Sequence, residues 1–111
     1  MSRTPLNFIA HVRAKPGAEQ TVHAAIEACV APTRAEPGCI NYDLHRNADD
    51  PAMFVLYEGW ESQAALDAHM HTAHFRALGA ALEGNVVVAP DGRPFTGEAL
   101  TMLSDRAPPK P

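Results

Sequence analysis

The chain has 111 residues, the length of one small domain built on a single core, so a second domain is not expected. Its formal charge of −4 and isoelectric point near 5.8 leave no dense Lys/Arg surface to neutralise a row of phosphates, which excludes nucleic acid as the expected partner. No apolar run reaches bilayer-spanning length and the first five residues carry no signal-type hydrophobic segment, so the sequence reads as cytoplasmic, without membrane insertion.

Leu6 to Ala14 alternates, with Leu6, Phe8, Ala10, Val12 and Ala14 on one face and Asn7, Ile9, His11 and Arg13 on the other, and predicts a first strand. Lys15-Pro16-Gly17 breaks it. From about Ala18, the residues Val22, Ala25, Ile26, Cys29 and Val30 recur at three- and four-residue steps and predict a long helix. Pro32 either ends this helix or kinks it on the way to Ala35, and Pro37-Gly38 closes it.

Two β-rich runs follow, Cys39 to Arg46 and Met53 to Glu61, separated by Asn47-Ala48-Asp49-Asp50-Pro51, whose short polar side chains and proline favour a turn. This is a hairpin. Ser62 then offers an N-cap hydroxyl to a helix beginning near Gln63. Leu66 and Met70 form one short stripe, Thr72 can cap a new turn, and Phe75, Leu78 and Leu82 recur at helical spacing until Glu83-Gly84, so a break is expected between His71 and Ala73. Val86-Val87-Val88 is short and β-branched, Pro90 to Pro94 reads as a turn, and Glu98 to Leu103 alternates as a last strand. The core is expected over residues 6–104, with 105–111 a loose proline-rich tail. Cys29 and Cys39 share no Cys-x-x-Cys spacing or regular framework and read as reduced thiols.

The order β, α, β, β, α, β predicts an α+β, ferredoxin-like fold, an antiparallel sheet with its helices on one face. The opposite face, carrying Ile9 and whichever of the Tyr42/Leu44 and Val55/Tyr57 sets points that way, is too apolar to stay bare. An isologous homodimer is therefore expected.

Several stretches carry a resemblance. Ala14-Lys15-Pro16-Gly17, the run from Pro32 to Cys39, Tyr42 to Arg46, Phe54 to Ser62, Ala65 to Met70 and His74-Phe75 stand in an order and spacing similar to the antibiotic biosynthesis monooxygenase (ABM) family, in particular its small quinol-monooxygenase-like branch. The likeness covers roughly Phe8 to Leu82. It implies a dimeric α+β barrel in which two subunits pack sheet against sheet. It also implies cofactor-independent oxidation of a quinol or hydroxylated aromatic by dioxygen.

The candidate site follows from that resemblance and from residue chemistry together. Trp60, the sole tryptophan, ends the third strand where the helix departs; there it is either a core plug or, as in the family, a flat wall of a pocket between sheet and helices. His69 and His74 are the candidate bases for a phenolic proton, with His74 placed ahead of His69; each also reads as an ordinary boundary histidine. Five residues apart, they lie about 140° apart on a straight helix, so only the break near Thr72 can bring them to one cavity. Ala73 stands where many relatives have proline. Leu66, Met70 and Phe75 supply apolar walls, Tyr42 an orienting hydroxyl, and Glu58 a hydrogen-bond partner for a histidine or for the neighbouring subunit. The other polar strand residues, Asn7, His11, Asn41, His45 and Tyr57, are expected at the dimer interface or sheet edges.

His69, His71 and His74 lack the four-residue repeat of a helical zinc pair, so no metal site is expected. With no glycine-rich phosphate loop and no dinucleotide fingerprint, no bound cofactor is expected either. Three other functions compete. One is a dimeric module that encloses a hydrophobic metabolite without turning it over. A second is haem degradation, disfavoured because Ala10 or His11, His69 and Gly79 stand where those relatives have asparagine, tryptophan and histidine. A third is sugar-phosphate isomerisation of the autoinducer-processing kind, which calls for basic groups in the pocket, where Arg76 is the one evident candidate.

Overall fold

A computed structural model describes residues 5–104. The expected tail at 105–111 lies outside the described residues. The elements are β1 (Leu6–Arg13), α1 (Glu19–Arg34), β2 (Cys39–Arg46), β3 (Met53–Trp60), α2 (Gln63–His69), α3 (Ala73–Leu82) and β4 (Thr96–Thr101). All pairings are antiparallel and the strand order is β2-β3-β1-β4, the arrangement of a ferredoxin-like sheet.

Register fixes which side chains share a face. Ala10 lies opposite Leu56 and Val12 opposite Phe54, while Tyr42 lies opposite Glu58 and Leu44 opposite Leu56. These pairs project toward the helices, and the core forms there around Ala10, Val12, Phe54, Leu56 and Trp60. Helix α1 contributes Val22, Ile26, Cys29 and Thr33, a buried stripe at three- and four-residue steps.

Pro32 does not end α1, which runs two residues further. Beyond it, the turn into β2 places Gly38 at φ +87°, with Glu61 N donating to its carbonyl at 2.9 Å. A Cβ on Gly38 would meet Ala65 Cβ at 2.7 Å, so only glycine lets this turn pass beneath α2. The hairpin turn is held by Asn47 Oδ1, which accepts from the amides of Asp49 and Asp50.

Two hydroxyls govern the second helical region. Ser62 Oγ accepts from Ala65 N at 3.2 Å and starts α2. Thr72 Oγ1 donates to the His69 carbonyl at 2.7 Å and accepts from Phe75 N at 3.2 Å, so one side chain closes α2 and opens α3. The break expected between His71 and Ala73 is therefore present, without a proline. At the far end, β4 begins two residues earlier than the alternation from Glu98 predicts, and Val86 forms only a single bridge, to Ala14. Every residue of β4 is exposed.

Candidate active site

Between the sheet and the helices the packing leaves about 40 Å³ of open space, room for a few water molecules at about 10–15 Å³ each. Its walls are mostly apolar. Phe8, Ala10, Val12 and Leu56 form the sheet side, Leu66, Met70, Phe75, Leu78 and Leu82 the helix side, and Phe95 reaches in from the segment before β4. Three polar side chains interrupt this lining: Tyr42, Glu58 and His69.

Each polar group is strongly conditioned by its surroundings. Glu58 is 4 % exposed and accepts one hydrogen bond, from Trp60 Nε1 at 3.0 Å. Burial pushes its carboxyl up to about 7, only partly offset by the indole bond, with the Glu36 charge adding to the rise. Burial likewise raises the Tyr42 phenol far above its ordinary value, and the nearby Glu58 charge reinforces it. Tyr42 is therefore a neutral hydroxyl throughout the physiological range.

His69 ends α2 and is 2 % exposed. Its ring lies among aromatic neighbours, 4.8 Å from Trp60, 5.0 Å from Phe75 and 5.6 Å from Tyr42 between centroids. Burial holds its pKa below the usual imidazole value, although the hydrogen bond and charge of Glu36 pull the other way. That bond joins Nδ1 to Glu36 Oε2 at 2.7 Å. Because a carboxylate accepts, the proton sits on Nδ1, and the lone pair of the neutral ring is at Nε2.

Glu36 is the member of the site that sequence reasoning missed. It stands in the Pro32 to Cys39 stretch, on the turn between α1 and β2, far in sequence from both histidines. Its Oε2 also accepts from His74 Nε2 at 2.6 Å, so one carboxylate oxygen holds both imidazoles, whose centroids are 6.0 Å apart. The only available signal was an acid between Ala35 and Pro37 in a turn with no helix to cap.

Of the residues singled out from sequence, the structure brings Tyr42, Glu58, Leu66, His69, Met70 and Phe75 to one cavity. Trp60 and His74 are not in its lining. Trp60 is fully buried behind it, with its ring against His69 and its N–H on Glu58. His74, whose side chain is 23 % exposed, lies on the outer side of Glu36. The bend at Thr72 thus unites the two imidazoles on a carboxylate and not in the cavity. Arg76 is exposed, and no Lys or Arg is among the lining residues.

A profile of the family described as Antibiotic biosynthesis monooxygenase matches residues 5–81, well over half of the chain. The chain belongs to the antibiotic biosynthesis monooxygenase family. Named relatives agree. "Putative monooxygenase Rv0793" of Mycobacterium tuberculosis is 39% identical over 72 residues, spanning 65% of this chain and 70% of that protein. "Probable quinol monooxygenase YgiN" of Escherichia coli K12 is 32% identical over 92 residues, spanning 74% of this chain and 88% of that protein. Among solved structures, PA3566 from Pseudomonas aeruginosa superimposes with a TM-score of 0.84 at 34% identity, over 94% of this chain and 99% of that one. This ABM chain therefore shares sequence with proteins that carry monooxygenase names and fold with PA3566. No helix among its described residues is long and apolar enough to cross a membrane.

Proposed function

We propose that this protein is a cofactor-independent monooxygenase that oxidises a quinol or another hydroxylated aromatic with dioxygen. The observation that carries the reading is His69: a neutral imidazole in the wall of an apolar cavity, its Nδ1 proton held by Glu36 and its Nε2 left with a lone pair. Nε2 takes the phenolic proton, and this assignment replaces His74 with His69 as the base. Tyr42 and protonated Glu58 donate hydrogen bonds to the substrate's oxygens, which stabilises the electron-rich phenolate in a dry site. The phenolate then reduces dioxygen. For a quinol, one oxygen atom enters the ring to give a hydroxyquinone and the other leaves as water, which balances the reaction without a further reductant.

An aromatic ring exceeds the space now open, so substrate entry requires the walls to part. Met70, Phe75 and Phe95 are only half-buried and are the residues with freedom to do so, Met70 most of all because its unbranched thioether adapts to irregular shapes. The absence of Lys or Arg from the lining argues against a sugar-phosphate substrate.

The same reading includes a homodimer. Ile9, Val55 and Tyr57 are half-buried on the sheet face that no helix covers, and Asn41 Oδ1 on that face is buried without a hydrogen-bond partner. A second copy packed sheet to sheet covers the apolar groups and can supply that oxygen with a donor.

The test is oxygen uptake with a panel of quinols and phenols, compared with anaerobic controls. Wild type is expected to consume oxygen with at least one of them, and His69→Gln to slow it by about 10²-fold or more, the usual contribution of a general base. Uptake unchanged in His69→Gln removes the assignment of the base. No uptake with any phenol, while the same compounds raise the melting temperature, makes the protein a binding module instead.

A further inference from the structure

The sequence argues against a metal site because its histidines lack a helical pair spacing. The fold changes that by adding a ligand from elsewhere in the chain. Glu36, His69 and His74 come from three different segments, and their ligand atoms Oε2, Nδ1 and Nε2 lie within 4.8 Å of one another. Among the described residues this is the one group of three or more His, Cys, Asp or Glu side chains so placed.

We propose that Glu36, His69 and His74 form a binding site for a divalent transition-metal ion, Zn²⁺ being the best match. Two imidazoles and one carboxylate are a donor set that zinc takes, and three protein ligands leave a fourth position for water. Access exists on one side. His74 is partly open to solvent while His69 and Glu36 are nearly closed off, which gives an ion an entry path and a dry seat.

Ligation requires the three ligand atoms to adjust toward an even spacing. A tetrahedral zinc with bonds near 2.0–2.1 Å spaces its ligand atoms by about 3.3 Å. The present hydrogen bonds are 2.7 and 2.6 Å, so the carboxylate has to withdraw by roughly 0.6–0.7 Å while the two imidazole nitrogens, the most widely spaced of ligand atoms that lie within 4.8 Å of one another, close toward the same spacing. Glu36 sits in a turn, where its side chain can make that shift while the backbone bonds Glu36 N to Thr33 O and Cys39 N to Glu36 O stay in place.

Protons follow from the ligation. Both imidazoles now donate N–H to Glu36, whereas a metal requires their lone pairs at those nitrogens. Each ring therefore moves its proton to its other nitrogen, so zinc on His69 Nδ1 puts a proton on Nε2. If the proposed function holds, that is the nitrogen that must be free to act as the base, and zinc is an inhibitor that locks His69 in the wrong tautomer. The site itself does not depend on that reading.

Calorimetric titration of the intact protein with Zn²⁺, together with the visible absorption of added Co²⁺, tests the proposal. One ion per chain is expected, with the intense cobalt bands of a four-coordinate site. His74→Ala, on the solvent side of the cluster, should weaken zinc binding about 100-fold, while His71→Ala, an exposed neighbour outside it, should not change binding. Zinc binding equally tight in wild type and His74→Ala, or cobalt bands of six-coordinate intensity only, overturns the site. Oxygen uptake is read separately. Stoichiometric, His74-dependent binding without inhibition of an active enzyme keeps the metal site and refutes the use of Nε2 as base, whereas binding to a protein that never consumes oxygen refutes the monooxygenase reading alone.

Discussion

The two faces of the sheet are built from alternate residues of the same strands and have opposite fates. On one face Ala10, Val12, Phe54 and Leu56 are at most 4 % exposed beneath the helices. On the other, their immediate neighbours Ile9, His11 and Val55 are half-buried or exposed. Polar groups divide in the same way. Glu58 is buried against the indole of Trp60, and Glu36 holds two imidazoles, so the helix side satisfies these carboxylates from within the chain. The uncovered side leaves Asn41 Oδ1 buried without a hydrogen-bond partner. One face is finished by its own chain, and the other has the composition of an interface.

The largest expected effect falls on the uncovered face. In the proposed dimer, a carboxylate placed among Ile9, Val55 and the second copy's equivalent groups would be desolvated without a counter-ion, and across a two-fold axis it would appear twice. Tyr57→Asp should therefore convert the protein from dimer to monomer at micromolar concentration, as measured by light scattering. A wild type that is already a stable folded monomer breaks the comparison, because the second face would then tolerate water.

Much of this contrast was legible in the sequence because strand alternation reports faces directly. The alternation of Leu6 to Ala14 identified the inward set, and Ser62 and Thr72 announced two helix starts. The helix break was legible for the same reason: a hydroxyl at position 72 competes for backbone donors whether or not a proline follows. Register is less legible, since Glu98 to Leu103 alternates as well as the Thr96–Thr101 that pairs. Glu36 was invisible as a site residue. A carboxylate in a turn gives no periodic signal, and its partners are brought to it only when α2 ends at His69 and α3 restarts beside it. Trp60 shows the converse. An aromatic residue at a strand end is compatible with a pocket wall or with the layer behind one, and sequence does not say which side of Glu58 and His69 the ring takes.

Glu58 sharpens the comparison from the covered side through pH. Its folded-state pKa of about 7 lies above the ordinary glutamate value of 4.5, so between these values the folded protein holds a proton that the unfolded chain has lost. Stability from this group is fully present below the unfolded pKa and falls as pH rises through 7, by roughly 3 kcal/mol over the whole interval if 1.36 kcal/mol accompanies each unit. Glu58→Gln keeps an amide oxygen for the indole N–H and cannot ionise. Urea unfolding between pH 4 and 8 should show wild type losing stability over this interval relative to the variant. Parallel pH profiles would mean that Glu58 ionises in the folded state as easily as in water.

The smallest effect, and the finest test, is at Trp60. Trp60→Phe keeps an aromatic body but removes part of the ring and the indole N–H, leaving a modest void and taking from Glu58 its hydrogen bond to the indole. An imperfect volume change of this kind costs about 1 kcal/mol or somewhat more. The lost donor adds to the penalty above pH 7, where Glu58 is charged, and much less below it, where the carboxyl is protonated. Because Trp60 lies behind the cavity wall, oxygen uptake per folded molecule should stay within about threefold of wild type while stability falls, a threefold rate change being about 0.65 kcal/mol of barrier. A rate loss of tenfold or more with unchanged stability would put the indole against substrate, and the wall formed by Tyr42, Glu58 and His69 would then have to open far enough to expose the layer behind it.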